Sequence, residues 1–498
     1  MTRSKKLLYS SISGVIYQLT VIVCGFILPR YIIKNYGSSV YGLISSINQF
    51  LNFVMLLEMG MNAVVTSSLY RPLDKHDYDE ISRIYVSSNR FFTRIGFVFC
   101  IYIIFISIFY PLFFQNEFDF FYVFSLIIIL SVTAIAEYMV GISYSIILKA
   151  DQMNGVLNIL RSISLICSTI IALVLIKMDF GIHIVKLFSI VPFVIRPFII
   201  KEYATKKYQI NRKIEFSGEP IKQKWNGIAQ HIAFYITTST DIVVLTVFST
   251  LGNISIYGVY TLVLNGVLGL VNSITSGIPA FFGNAFISSN NKKSKEIFSL
   301  IEWFSHSLIS FIYTCTGILI LPFISVYTKG ITDVDYYKPF FAFIATLSYA
   351  LRSIRDPYHS AVIGAGHFKE TQISSIVESI INISLSIVGV YRFGLNGVIF
   401  GTLIAMLYRI IYLAVYVSNN IVMTEISSFI KNIIVDIFIA IFGTFLCNCY
   451  HMGGLTYLDW IIYSIKVSLS VALLSIIINS IVNKRIVVEF ISKLKRIY

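Results

Sequence analysis

Apolar residues run through this chain in continuous blocks of roughly twenty, and the charged residues collect in the short stretches between them. A helix rises about 1.5 Å per residue, so a block of that length crosses a hydrocarbon core of about 30 Å. Windows of about 19 residues predict helices near 9–29, 41–66, 91–114, 120–148, 157–177, 181–200, 225–248, 256–286, 300–324, 337–364, 373–391, 395–418, 428–450 and 460–482, about fourteen in all. Alternation at period two, the mark of a membrane β-barrel, is not visible. The pattern predicts an all-α polytopic membrane protein.

Composition narrows the class further. Hydrophobic residues make up 56% of the 498 positions and charged residues 13%, with a mean hydropathy of +0.78, which excludes an ordinary soluble domain. MTRSKK is followed by an apolar segment as long as the others, without a small-residue cleavage site, so the first helix is expected to be retained. With the amino terminus inside, inner loops and tails hold about twenty-five Lys and Arg, against about six outside (Arg30, Lys34, Lys177, Lys329, Lys338, Arg392). Both termini are therefore expected in the cytoplasm. The net charge of +14 then reflects topology and attraction to anionic inner-leaflet lipid, not nucleic acid. The cysteines Cys24, Cys100, Cys167, Cys315, Cys447 and Cys449 lie in or at the ends of apolar segments as small hydrophobes. Cys447, Cys449 and His451 lack zinc-site spacing, so no metal site is expected.

The two halves of the chain echo each other. NYGSSVYGL (35–43) resembles TLGNISIYGV (250–259); FGI followed at a fixed distance by Arg196 matches FGL followed at the same distance by Arg409. Each unit holds an even number of helices, so the repeats enter the membrane in the same orientation, the arrangement of two-lobed transporters. The expected organisation is an N-terminal lobe at 1–213, a cytoplasmic linker at 214–224, a C-terminal lobe at 225–425, and two extra helices with a cytoplasmic tail at 426–498.

PRYIIKNYGSSVYGLI (29–44), LLEMGMNAVV (56–65) and STDIVVLTVFSTLGNISIYGVY (239–260), within this plan of two lobes and two added helices, resemble the polysaccharide transporter branch of the multidrug/oligosaccharidyl-lipid/polysaccharide exporter superfamily. The resemblance implies a flippase in the bacterial inner membrane. It would carry an undecaprenyl-pyrophosphate-linked oligosaccharide, for O-antigen, capsule or another polymer, between leaflets by alternating access, beside membrane lipids and other polysaccharide-assembly proteins.

Charges inside predicted spans are the sharpest residue-level signal, because each costs about 2.5 to 3.5 kcal/mol unless it has a partner or a wet cavity. In TLSYALRSIRDPYHSAV (346–362), Arg352, Arg355 and His359 share one helical face, and Asp356 is spaced to pair with Arg352. Starting from Tyr337 outside, Arg352 lies about 22 Å along the helix, in the inner half of the bilayer. Guanidinium groups there suit a pyrophosphate entering from the cytoplasm; the competing reading is neutralisation by acids on neighbouring helices. Pro357 is expected to bend the helix. The equivalent first-lobe position is Glu137, either a partner of this stripe or a proton carrier, and Arg161 corresponds to Glu378 with the sign again reversed. Glu58 and Asp241 sit on the motifs of the resemblance and either bind a coupling H+ or Na+ or cap and pack. Arg196 and Arg409, at the inner ends of their helices, are expected to snorkel. The candidate headgroup contacts are thus Arg352, Arg355, His359 and Arg161, and the candidate charge partners or coupling residues are Glu137, Asp356, Glu378, Glu58 and Asp241.

A drug or cation exporter of the same superfamily would favour an acidic, aromatic cavity, against which the basic stripe argues. A glycosyltransferase or polymerase needs a sizeable loop or soluble domain, and the outer loops are short; Asp333-Val334-Asp335 lacks a nucleotide-binding context. No phosphate-binding loop of the ATPase type occurs. The chain is read as a transporter without a bound cofactor rather than an enzyme.

Overall fold

The computed structural model describes residues 3–214, 239–275, 278, 282 and 291–495. Every regular element among them is helical. The chain divides into two compact units, Met1–Tyr235 and Ile236–Tyr498. Most of the expected linker at 214–224, and the first part of the helix predicted at 225–248, lie outside the described residues.

The first unit comprises α1 (Arg3–Tyr36), α2 (Ser38–Leu51), α3 (Met55–Asp74), α4 (Tyr78–Phe109), α5 (Phe120–Ala136), α6 (Ile142–Ala150), α7 (Asn154–Lys177), α8 (Ile182–Ser189) and α9 (Val191–Tyr208). Three predicted continuous helices are interrupted here. A 3-10 turn at Asn52–Val54 separates α2 from α3, and a π turn at Glu137–Gly141 lies between α5 and α6. The third break, between α8 and α9, has a direct cause: Pro192 sits in the first turn of α9, where its missing N–H costs no helical hydrogen bond. Hydropathy windows cannot see such breaks, since the residues remain apolar through them.

The second unit comprises α10 (Ser239–Phe248), α11 (Leu251–Thr275), α12 (Asn291–Tyr327), α13 (Pro339–Ala365), α14 (Phe368–Phe393), α15 (Leu395–Val417), α16 (Ser427–Cys447), α17 (Tyr457–Val482) and α18 (Lys484–Lys495). Among the described residues, 11 helical segments are long and apolar enough to cross a membrane. The helix α13 is not one of them, because Arg352, Arg355 and Asp356 fall in its middle. The protein is a multi-pass membrane protein. The helices α16 and α17 pack on α12 through Cys315, Val435, Ile439, Val467 and Val471, while Ile441, Phe445, Leu469 and Leu473 face outward, as lipid-facing residues do. The short amphipathic α18 sets Phe490 against Trp303 and Phe304 of α12.

Among the described residues, α14 and α15 cross at close range. A Cβ added at Gly389 would lie 2.5 Å from the Gly397 carbonyl oxygen, and one at Gly401 would lie 2.6 Å from the Ser386 backbone nitrogen. Backbone therefore touches backbone along this hairpin, as small residues permit in membrane interfaces. That approach brings polar side chains on the two helices within bonding range.

Candidate functional site

The α14–α15 hairpin closes an ion triad against α13. Arg355 Nη1 donates to Glu378 Oε1 at 2.9 Å, and Arg409 Nε lies 3.4 Å from Glu378 Oε2. All three side chains are buried. Arg409 also donates to the Thr371 carbonyl at 3.3 Å and to the Ser374 hydroxyl. Arg355 is less well served: its Nε is buried without a hydrogen-bond partner, and Met406 Sδ, at 3.9 Å, is a weak acceptor. From Pro339, Arg355 is about 24 Å along α13. The expectation that Arg409 snorkels is overturned. It is only 2% exposed, because Glu378 and the polar groups of α14 satisfy it inside the protein.

The first unit carries a smaller counterpart. Glu137 opens the π turn and accepts from Arg196 Nη2 at 3.0 Å, both groups half-buried. Gly141 makes room for this pair. A Cβ there would meet Pro197 Cβ at 2.9 Å and the Glu137 carboxylate at 3.3 Å. Glu137 is thus tied to Arg196 in its own unit, and Arg196 does not snorkel. Each unit thus holds one acid against arginine, Glu137 at the end of α5 against Arg196 in the first and Glu378 on α14 against Arg355 and Arg409 in the second.

The remaining sequence candidates fall outside these clusters. Arg352 is half-buried near Tyr257, Tyr313 and Tyr349, and forms no ion pair with a described residue. Asp356 is also half-buried and does not pair with Arg352. Four-residue spacing permits that contact without compelling it, and here the two side chains do not close to ion-pair distance. His359 is half-buried on α13. Arg161 lies half-buried on α7 and pairs with no described acid. Glu58 falls within α3, but its side chain lies outside the described residues.

Asp241 is the centre of a second buried site. Its carboxylate accepts from Tyr257 OH at 2.8 Å and from Thr402 Oγ1 at 2.8 Å. Asn382 donates to Thr402 Oγ1 at 2.9 Å, and Asn382 Oδ1 is buried with no hydrogen-bond partner. A buried carboxylate, a hydroxyl and an amide thus meet, with the amide oxygen unsatisfied, a set suited to a proton or a small hard monovalent cation. Sequence reasoning found Asp241 but missed Asn382 and Thr402. The available signal was that Asn382 stands four residues after Glu378, on the same face of α14.

Against solved structures, the fold is similar to the lipid II flippase MurJ in an inward closed conformation, with a TM-score of 0.72, 17% identity, and coverage of 96% of this chain and 100% of that one. A multidrug resistance MATE family transporter of the MOP superfamily, inward-facing, aligns at TM-score 0.50 and 13% identity over 82% of this chain and 95% of its own. The eukaryotic MATE transporter AtDTX14 aligns at 0.55 and 12% over 86% and 98%. The chain has the fold these transporters share. No protein-family model and no curated protein matches its sequence. The all-α membrane architecture expected from sequence is therefore the one observed.

Proposed function

We propose that this protein is a flippase of a lipid-linked oligosaccharide, moving an undecaprenyl-pyrophosphate-linked repeat unit across the bacterial inner membrane by alternating access, with both termini cytoplasmic. The fold supports a transporter; the charge arrangement supports an anionic cargo. The observation that carries the reading is Arg352. It sits about 20 Å into α13 from Pro339, half-buried, and pairs with no described acid, whereas its neighbour Arg355 is held by Glu378. A guanidinium at that depth meets a diphosphate bidentately, and Arg355 fixes the helix that presents it. The Asp241 site supplies ion coupling: binding H+ or Na+ there neutralises a buried carboxylate and changes which hydrogen bonds join α10, α11, α14 and α15.

The test is translocation of a lipid-linked oligosaccharide by the purified protein in liposomes. Wild type is expected to flip it, and Arg352→Ala to lose about tenfold or more, the loss of one charged hydrogen-bonding group, at unchanged membrane abundance. Absence of flipping by wild type, with no build-up of the lipid-linked unit on the inner leaflet of deletion cells, would refute the proposal. Loss of abundance alone in Arg352→Ala would reassign Arg352 to packing.

A further inference from the structure

A second chain of titratable groups lies in the second unit, where the two helices beyond the repeat meet the lobe. His306 Nδ1 of α12 is 2.6 Å from Asp436 Oδ2 of α16, and His306 Nε2 is 3.2 Å from Tyr358 OH of α13. Tyr358 OH donates to Glu302 Oε1 at 2.6 Å, and Ser428 Oγ donates to Glu302 Oε2 at 3.1 Å. Glu302 and His306 are each 2% exposed, and Tyr358 1%. The side chain of Asp436 is 12% exposed and lines an apolar cleft of about 490 Å³ with Ser310, Tyr313 and Thr346. One end of the chain therefore reaches a cavity and the other is sealed.

Proton counting fixes the arrangement. The Tyr358 hydrogen is committed to Glu302, so the Tyr358 oxygen accepts, and His306 Nε2 carries a hydrogen. Between His306 Nδ1 and Asp436 there is then one hydrogen, whichever of the two holds it. That pair is neutral overall, and an ionised Glu302 leaves the network at net −1, with room for one more proton. The groups in contact with it are Ser310 and the Phe298 ring from α12 and the Phe429 ring and Ser428 from α16. Neighbouring charges are engaged or stand apart: Arg355 is bound to Glu378, Lys431 donates to the Val482 carbonyl, Asp356 lies two residues before Tyr358, and Glu489 is on α18. No Lys or Arg forms an ion pair with Glu302 or Asp436 among the described residues. A buried carboxylate without a cation is neutralised most cheaply by a proton.

We propose that Glu302 is a proton-binding site, loaded from the cleft through Asp436, His306 and Tyr358. A proton arriving on Asp436 leaves the shared hydrogen on His306 Nδ1; His306 Nε2 gives its proton to the Tyr358 oxygen as Tyr358 gives its own to Glu302 Oε1. One proton enters, one carboxylate becomes neutral, and the His306–Asp436 pair and Tyr358 end with the proton number they began with. This site is separate from Asp241 and does not depend on the identity of the cargo.

Infrared difference spectroscopy of the full chain in liposomes tests it. Wild type is expected to show a protonated-carboxyl band that disappears as the medium is made alkaline. Glu302→Gln, which keeps the size and an acceptor for Tyr358, is expected to lose that band while eluting as a single species. In Tyr358→Phe the band is expected to form after a pH jump about a hundredfold more slowly. The same titrating band in wild type and Glu302→Gln overturns the site. Loading at the wild-type rate in Tyr358→Phe or Asp436→Asn overturns the relay, and that reading holds even where Glu302→Gln folds poorly.

Discussion

Glu378→Gln is the most exposing test of the buried ion triad. The substitution keeps side-chain volume but removes the charge that holds two arginines, 9% and 2% exposed, inside the second unit. Removing one partner of a buried pair costs about 3 to 5 kcal/mol, because the remaining charge is left uncompensated. The two arginines are not equally harmed. Arg409 keeps the Thr371 carbonyl and the Ser374 hydroxyl, whereas Arg355 is left with the neutral amide oxygen of the substituted side chain and the Met406 sulfur, so most of the penalty falls on Arg355. At about 2 °C per kcal/mol for a unit of this size, the midpoint of thermal unfolding should fall by roughly 6 to 10 °C. The assay is thermal unfolding of the detergent-purified protein, followed by intrinsic fluorescence. Adding Arg355→Met to Glu378→Gln removes the stranded charge and should recover at least about half of the loss, since an apolar replacement of a buried ionic group is often neutral. A fall of less than about 2 °C in the single variant, or simple additivity in the double one, would refute the account, because coupled neighbours should depart from additivity by about 0.5 to 3 kcal/mol.

Gly389→Ala places a methyl group 2.5 Å from the Gly397 carbonyl oxygen, and should destabilise by about 1 to 3 kcal/mol, read in the same unfolding assay; an unchanged midpoint would contradict the close crossing. Asp151, between α6 and α7, accepts from Lys6 Nζ at 2.5 Å, Lys207 Nζ at 3.0 Å and Tyr208 OH at 2.7 Å. Burial pushes its carboxyl up, but these three donors together outweigh burial and hold it below its ordinary value of 3.8. Its stabilising contribution is present above that value and is lost as pH falls through the lower folded one, so the stability gap between wild type and Asp151→Asn should close on acidification and stay constant near neutrality. Asp241→Asn should leave binding of a lipid-linked cargo in place while abolishing the response of transport to an imposed H+ or Na+ gradient; a retained response would remove Asp241 from coupling.

Much of the architecture was legible in the chain because the bilayer imposes it. A hydrocarbon core leaves helices as the economical way to satisfy every backbone group, so block length and the lack of period-two alternation suffice to predict an all-helical membrane protein. The same hydropathy signal was silent about the breaks at Asn52–Val54, Glu137–Gly141 and Ile190, since a kinked apolar helix is as hydrophobic as a straight one.

Charge placement divides in the same way. That Arg352, Arg355, Asp356, Glu378, Glu137 and Asp241 needed partners followed from the cost of burying them. Which partner each obtained was decided by packing. Glycines at 389, 397 and 401 let α14 and α15 touch, and that contact gives Glu378 Arg409 and Asn382 Thr402, while α13 brings Arg355 to Glu378 and α10 brings Asp241 to Thr402. Arg352 and Asp356, well spaced along one helix, remain apart, because side chains four residues apart meet only when their rotamers turn toward each other. His306 and Glu302 lie four residues apart on α12, but their links run to Asp436 on α16 and Tyr358 on α13, residues 130 and 56 positions away in the chain. The sequence determines which charges must be answered, since solvation energy is a property of the residue and its depth; the tertiary structure alone decides what answers them, since a hydrogen bond requires approach within about 3 Å.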